Sequence, residues 1–322
     1  MANALILGGG APNATLMAGA FVALLEKEIH FEVISTAGAG ALVGLLATVP
    51  KGRSGLEALR DMPNFGVADP ISKVFPVNYK VFQKPGIMAD WYRQMLLAFP
   101  PYARFMVSEP QNEWVRFYKD WVELIVNSLC PSDLSQASKG LCAPVPFIEE
   151  VVDFQALRNL REDIYINAYN ITERKMEIFG KDQITPAHFR AAFSFPFIYP
   201  PTEINGKLYI EGASVDALNY KSLIGTHPDV DTIVVFDVLG SDKLLTPPRN
   251  LYDAWVKSII VPLVEIAKDD TRLFETIYNK PPYNNPRNLL KIEFEIPEEN
   301  LTKVFDWSYS NLKLMYDIGY KA

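Results

Sequence analysis

LILGGGAPNATLMAGAFVAL (residues 5–24) and STAGAGALVG (residues 35–44) follow one plan: an apolar run, a glycine-rich turn, then a stretch that favours helix. In the first, Ala4 to Leu7 has the length of a short buried strand. Gly8-Gly9-Gly10-Ala11-Pro12-Asn13 interrupts it, and Thr15 to Lys27 reads as a helix whose Ala18, Gly19 and Ala20 permit close packing on a sheet. In the second, Phe31 to Ser35 (FEVIS) is the strand, Thr36-Ala37-Gly38-Ala39-Gly40 the tight turn, and Ala41 to Thr48 the helix. Ala2 to Leu25 carries no charge, but no Lys or Arg precedes it and glycine and proline break it, so it is expected to be neither a signal peptide nor a membrane span.

Farther along, the sheet resumes with Ile164 to Tyr169 (IYINAY) and Lys175 to Phe179 (KMEIF), then a helix from Pro186 to Phe193. Thr202 to Ile210 reads as a hairpin turning through Asn205-Gly206. Thr232 to Val238 (TIVVFDV) is a continuous apolar run of the kind that parallel sheets bury on both faces. A helix from Trp255 to Tyr278 kinked near Pro262, a strand Leu289 to Ile296 and a last helix Asn300 to Tyr320 complete the pattern.

Between the two halves of the sheet the composition changes. Residues 56–151 are dense in aromatics and prolines, with Trp114, Phe117, Trp121 and Leu124 at helical spacing in Asn112 to Leu129. This stretch reads as a cap or lid-like insertion in a single α/β domain spanning 1–322, with 250–322 as a C-terminal extension packed on the core. Met88, Trp91, Met95, Leu96, Phe99, Tyr102, Phe105 and Met106 make a soft aromatic segment, expected to cover an internal apolar groove rather than to anchor in a membrane.

Bulk properties narrow the partners. The chain has 322 residues, 49% of them hydrophobic, and a formal net charge of −7, so it can fill a sizeable core but offers no basic field for nucleic acid. Two cysteines, Cys130 and Cys142, and three histidines, His30, His188 and His227, give no metal-ligand spacing. The low cysteine content suits a reducing cytoplasm, with peripheral membrane contact and a Cys130–Cys142 pairing left open.

A glycine-rich loop entering a helix can aim N–H groups at an oxyanion, and a sharp strand-to-helix elbow can present a nucleophile. In four places the chain resembles patatin-like phospholipases, the lipid acyl hydrolases whose motifs are G-G-G-x-[K/R]-G, G-x-S-x-G and D-G-[A/G]. Residues 5–24 resemble the oxyanion loop and its helix, with Gly9 and Gly10 kept, Ala11 at the third glycine and Asn13 where the basic residue sits. Residues 35–44 resemble the elbow, with Thr36 at its first glycine, Ala37, Ala39 and Gly40 around the apex, and Gly38 at the serine. LYIEGASVDALNY (208–220) is similar to the segment that supplies the dyad aspartate, with Glu211 in its place. FRAAFSFPFIYPP (189–201) resembles the stretch between them.

The resemblance implies an α/β, patatin-like (α/β-hydrolase-related) fold: a mainly parallel sheet flanked by helices, with a helical cap insertion. It also implies Ser-Asp acyl hydrolysis without metal or cofactor. Gly38 has no side chain to attack a carbonyl, and the extra methylene of Glu211 moves its carboxyl by about 1.5 Å, where a shift of about 1 Å costs about a hundredfold. The expectation is therefore a pseudoenzyme that binds an acyl chain, lipid or protein partner through the vestigial site. The alternative is an active phospholipase or esterase-type lipid hydrolase with an unrecognised nucleophile. Candidates for such a role are Ser35, Thr36, Ser214, a Glu211–Asp216 carboxylate pair and His188, each of which also has an ordinary reading as a turn, strand-end, cap or core residue.

Overall fold

The computed structural model describes residues 2–10, 13–108, 110–144, 147–239, 245–248, 250–301 and 306–322. Among them eight strands form one mixed sheet: β1 (Ala2–Leu7), β2 (Val33–Thr36), β3 (Asp163–Asn170), β4 (Lys175–Gly180), β5 (Thr202–Ile204), β6 (Lys207–Glu211), β7 (Val230–Phe236) and β8 (Asn288–Ile292). β1 lies between β2 and β7, β3 is beyond β2 and β8 beyond β7, and all these neighbours are parallel. Ala4 to Leu7 and all of β2 are buried, as a parallel sheet covered on both faces requires.

The remaining pairings, β3 with β4, β3 with β6 and β5 with β6, are antiparallel. β4 occupies one edge of β3 along residues 165–170, so β2 (opposite 163–166) and β6 (opposite 168–170) share the other edge, end to end. The chain leaving β2 therefore runs into the end of β6. This is how two segments remote in sequence meet at residues 38 and 211.

Helices α1 (Ala14–Glu26) and α2 (Ala39–Thr48) follow β1 and β2 as the two turns predict. α3 (Gly55–Arg60), α4 (Asp69–Val74), α5 (Ile87–Leu97), α6 (Pro100–Val107), α7 (Glu113–Leu129) and α8 (Phe147–Glu150) precede β3. α9 (Pro186–Phe193), α10 (Leu251–Leu273), α11 (Glu298–Leu301) and α12 (Tyr309–Lys321) complete the set. Gly19, expected against the sheet, instead meets α12. A Cβ there would lie 2.0 Å from the Tyr316 carbonyl oxygen, and one on Gly319 would lie 1.9 Å from that of Leu16, so the two helices cross backbone to backbone.

The C-terminal third departs from expectation at its boundaries. α10 begins at Leu251, because the Asn250 side chain accepts the Asp253 N–H at 2.9 Å, and it runs through Pro262 to a π turn at Phe274–Tyr278. β8 ends at Ile292, where its pairing with β7 stops at Phe236. The last helix starts at Tyr309 rather than Asn300: Ser308 caps it, its hydroxyl accepting from the Asn311 N–H at 3.4 Å.

The soft segment of residues 88–106 does not cover the core. Met88, Trp91, Met95 and Phe99 are exposed, and α5 buries only Ala89. The Tyr92 hydroxyl donates to the Val126 carbonyl of α7 and Arg93 to the Lys84 carbonyl; that side of α5 faces protein, and the aromatic stripe faces out. Cys130 and Cys142 are both free. No helix among the described residues is long and apolar enough to cross a membrane.

Candidate functional site

β2 passes into α2 through a sharp turn. Gly38 is the N-cap of α2 with φ 48° and ψ −124°, a conformation that costs an L-residue strain. The Ala37 N–H donates to the Leu7 carbonyl at 3.0 Å, and Gly40 and Ala41 start α2 on the carbonyls of Ala37 and Gly38 at 2.9 and 3.0 Å. A Cβ on Gly40 would lie 2.2 Å from the Leu7 carbonyl oxygen, so glycine lets α2 begin against the end of β1.

Glu211 fills the space beside Gly38. An added Cβ on Gly38 would sit 2.1 Å from Glu211 Oε1 and 3.0 Å from the Ala213 Cβ. The Glu211 backbone N–H is fixed by the Ser194 carbonyl at 3.0 Å, and its side chain is buried. No described residue offers that carboxyl a cation, and burial alone pushes its pKa up to about 8, so it is a neutral acid at pH 7.

The glycine loop is tied down on the other side. Gly8 N–H donates to the Phe236 carbonyl at 3.2 Å and Gly9 N–H to that of Ala217 at 3.0 Å, so the Gly9 donor is not available to an oxyanion. Gly10, with φ 122°, lines the cavity described below, while Ala11 lies outside the described residues. Asn13 is the N-cap of α1 but makes no side-chain capping bond. Its Oδ1 and the Thr15 Oγ1, on residues 2% and 3% exposed, have no hydrogen-bond partner among the described residues.

Above Gly38 and Glu211 opens a cavity of about 460 Å³, within the range of small-molecule sites. Gly10, Asn13, Thr15, Ala39, Glu211 and Ala213 form its polar end. Its apolar walls come from three places: Phe189, Phe193 and Ile198 near α9, Phe65, Val81 and Phe82 before α5, and Trp255, Ile260, Leu263, Trp307 and Leu312 from the C-terminal third. Tyr199 also lines it, with its hydroxyl donating to the Val81 carbonyl at 3.2 Å. Glu149 and Arg190 pair on the wall at 2.6 Å.

The other candidate residues are held elsewhere. Ser35 donates to the Asn219 carbonyl and Thr36 to that of Tyr165, both at 2.9 Å, which ties β2 to its neighbours. Asp216 accepts from the Asn219 N–H at 2.8 Å and pairs with Lys221 at 3.0 Å instead of joining Glu211. The buried Ser214 hydroxyl does not line the cavity. His188 bonds Thr185 at 2.8 Å and packs on Phe179 with ring centroids 4.3 Å apart, outside the cavity; burial lowers its pKa. Asn13 falls within the glycine-loop motif, whereas Thr15 and the walls Trp255 and Trp307 have no local motif that marks them in sequence.

Comparison with curated protein sequences gives no match. Among solved structures the chain is similar to VipD from Legionella pneumophila, at 15% sequence identity and TM-score 0.39 over 98% of this chain and 66% of that one. It is also similar to human GIVD cytosolic phospholipase A2 in complex with methyl gamma-linolenyl fluorophosphonate, at 11% identity and TM-score 0.45 over 99% of this chain and 57% of that one. The chain thus spans less than two thirds of the length of either. The family profile described as patatin-like phospholipase matches residues 5–224, which take in both glycine turns and Glu211, and the chain belongs to that family.

Proposed function

We propose that this chain is a hydrolytically silent patatin-like protein that holds an acyl chain or lipid in the cavity above Gly38. One observation carries the reading: the elbow retains its backbone, but the nucleophile's space is occupied by the Glu211 carboxyl at the foot of an apolar cavity. Membership of a phospholipase family makes an acyl chain the natural occupant. Residues 56–151 and 250–322 act as lid and extension, since Phe65 and Phe82 from one and Trp255 and Trp307 from the other close over the site.

The remaining nucleophile candidates on the wall support silence. The Ser194 hydroxyl donates to the Arg190 carbonyl at 2.9 Å and contacts Thr202 at 2.8 Å, with no imidazole to activate it. Burial pushes the Cys142 thiol up to about 11, which leaves almost no thiolate at pH 7.

Purified protein is expected neither to turn over short-chain p-nitrophenyl esters or phospholipid nor to label with a fluorophosphonate. The Gly38→Ser/Glu211→Asp double variant, which restores nucleophile and dyad acid, is expected to gain trace labelling. Turnover and labelling of the unmodified chain would overturn the proposal, and the labelled peptide would identify the nucleophile.

A further inference from the structure

We infer that the cavity selects an uncharged amphiphile, whose head group donates and accepts hydrogen bonds without carrying charge, over an anionic lipid. The inference rests on the cavity being a lipid-binding site and adds what kind of head it takes.

The argument comes from the polar end. Among the described lining residues the charged ones besides Glu211 are Glu149 and Arg190, which neutralise each other on the wall. Where the family motif places a basic residue, this chain has Asn13. Asn13 Oδ1 and Thr15 Oγ1 have no hydrogen-bond partner among the described residues, and both residues line the cavity, so a head group that reaches them supplies a donor to the amide oxygen and either role to the hydroxyl. A carboxylate or phosphate head brings only acceptors to that amide oxygen.

Glu211 leads to the same preference in either protonation state. As a neutral acid, which burial favours up to a pH of about 8, it donates one hydrogen bond and offers an anion no counter-charge. As a carboxylate it repels an anion. The N-termini of α1 and α2 do favour negative charge, but at α2 that place, next to Gly38, already holds the Glu211 carboxyl. The other ionisable wall groups, Tyr199 and Cys142, have pKa values raised by burial and remain neutral at pH 7, and no ionisable group on α9, β3 or β5 contributes to the Glu211 shift.

Displacement of the neutral fluorescent probe N-phenyl-1-naphthylamine by decanamide, 1-decanol and decanoate at pH 7, each below its critical micelle concentration, tests this on the intact chain. Decanamide and 1-decanol are expected to displace it at concentrations about tenfold or more below decanoate. Thr15→Val, which keeps shape and removes the hydroxyl, is expected to weaken decanamide several-fold more than it weakens the probe. Equal or tighter displacement by decanoate overturns the inference and leaves the cavity reading standing. If the probe does not bind and no competitor binds by calorimetry, both fall.

Discussion

The elbow and the α5–α7 segment are attached to the molecule by opposite means. Around the elbow every residue of β2 and every residue from Ala39 to Leu46 is buried, and backbone bonds from β1 tie the turn. In α7, by contrast, one residue of seventeen is buried and it is a carboxylate, Asp120. Trp114, Tyr118, Trp121 and Leu129 remain exposed. A densely packed turn keeps its shape whatever single side chain it carries, because the shape is set by neighbours. α7 is held by scattered contacts instead: Phe117 and Leu124 against Val67, Ala68, Ile71 and Tyr79, Arg116 on Asn64 and the Tyr309 ring, and Asp120 as its one buried residue.

The largest effect is therefore expected at Asp120. Its Oδ2 accepts from the Ala68 N–H at 2.7 Å, its Oδ1 meets Lys80 Nζ at 2.7 Å, and its own carbonyl accepts from the Tyr79 hydroxyl at 2.6 Å. Asp120→Ala leaves Lys80 without its carboxylate partner and should cost on the order of 3–5 kcal/mol. Hydrogen exchange should show the loss concentrated in residues 67–82 and 113–129, with β1, β2 and α2 still protected. Uniform loss of protection would break the comparison, since the two regions would then unfold as one unit.

Next in size is Glu211→Gln, expected to stabilise. The folded pKa of Glu211 is raised from 4.5 to about 8, so below pH 4.5 the group is protonated in both states. As pH rises from there to about 8 the unfolded chain loses its proton and the folded chain keeps it, so native stability falls across that window and levels off above it. Glutamine does not titrate. Its advantage should be near zero at pH 4 and reach roughly 3 kcal/mol at pH 7, read from urea midpoints at the two pH values. A constant difference across pH would mean that Glu211 is ionised in the folded chain.

The two regions also differ in how much of them the sequence discloses. A glycine-rich turn between an apolar run and a helix is a local signal, so β1, β2, α1 and α2 are readable to within a few residues, and Gly38 is found by its place in the motif. That Glu211 fills the space beside Gly38 is not local: it follows from β2 and β6 sharing one edge of β3. The cavity walls show the same limit. Trp255 and Trp307 reach the site through the path of the C-terminal third, and Val81 and Phe82 sit in a stretch without periodicity. For residues 88–106 the aromatic spacing shows an amphipathic stripe but not which side meets protein, and the bonds of Tyr92 and Arg93 decide that it faces out.

The smallest of the three effects, and the one that most sharpens the account of the elbow, is expected for Gly38→Ala. Beside a tight 3.0 Å approach to the Ala213 Cβ, which belongs with the backbone part because neither variant changes it, the new methyl meets two separable obstacles. One is the backbone at φ 48°, which costs an L-residue about 1–2 kcal/mol wherever its neighbours stand. The other is Glu211 Oε1 at 2.1 Å, the far end of a flexible side chain that can rotate into the cavity at modest cost. A double-mutant cycle with Glu211→Ala separates them: removing the carboxyl should recover only the second part, a coupling of about 0.5–1 kcal/mol in urea unfolding, and leave the backbone part intact. Recovery of the whole loss would place the strain in the side chains and make the turn a passive consequence of Glu211. Recovery of none would mean that Glu211 already swings clear of Gly38, so that the space beside the elbow is open and a serine there would have room to react.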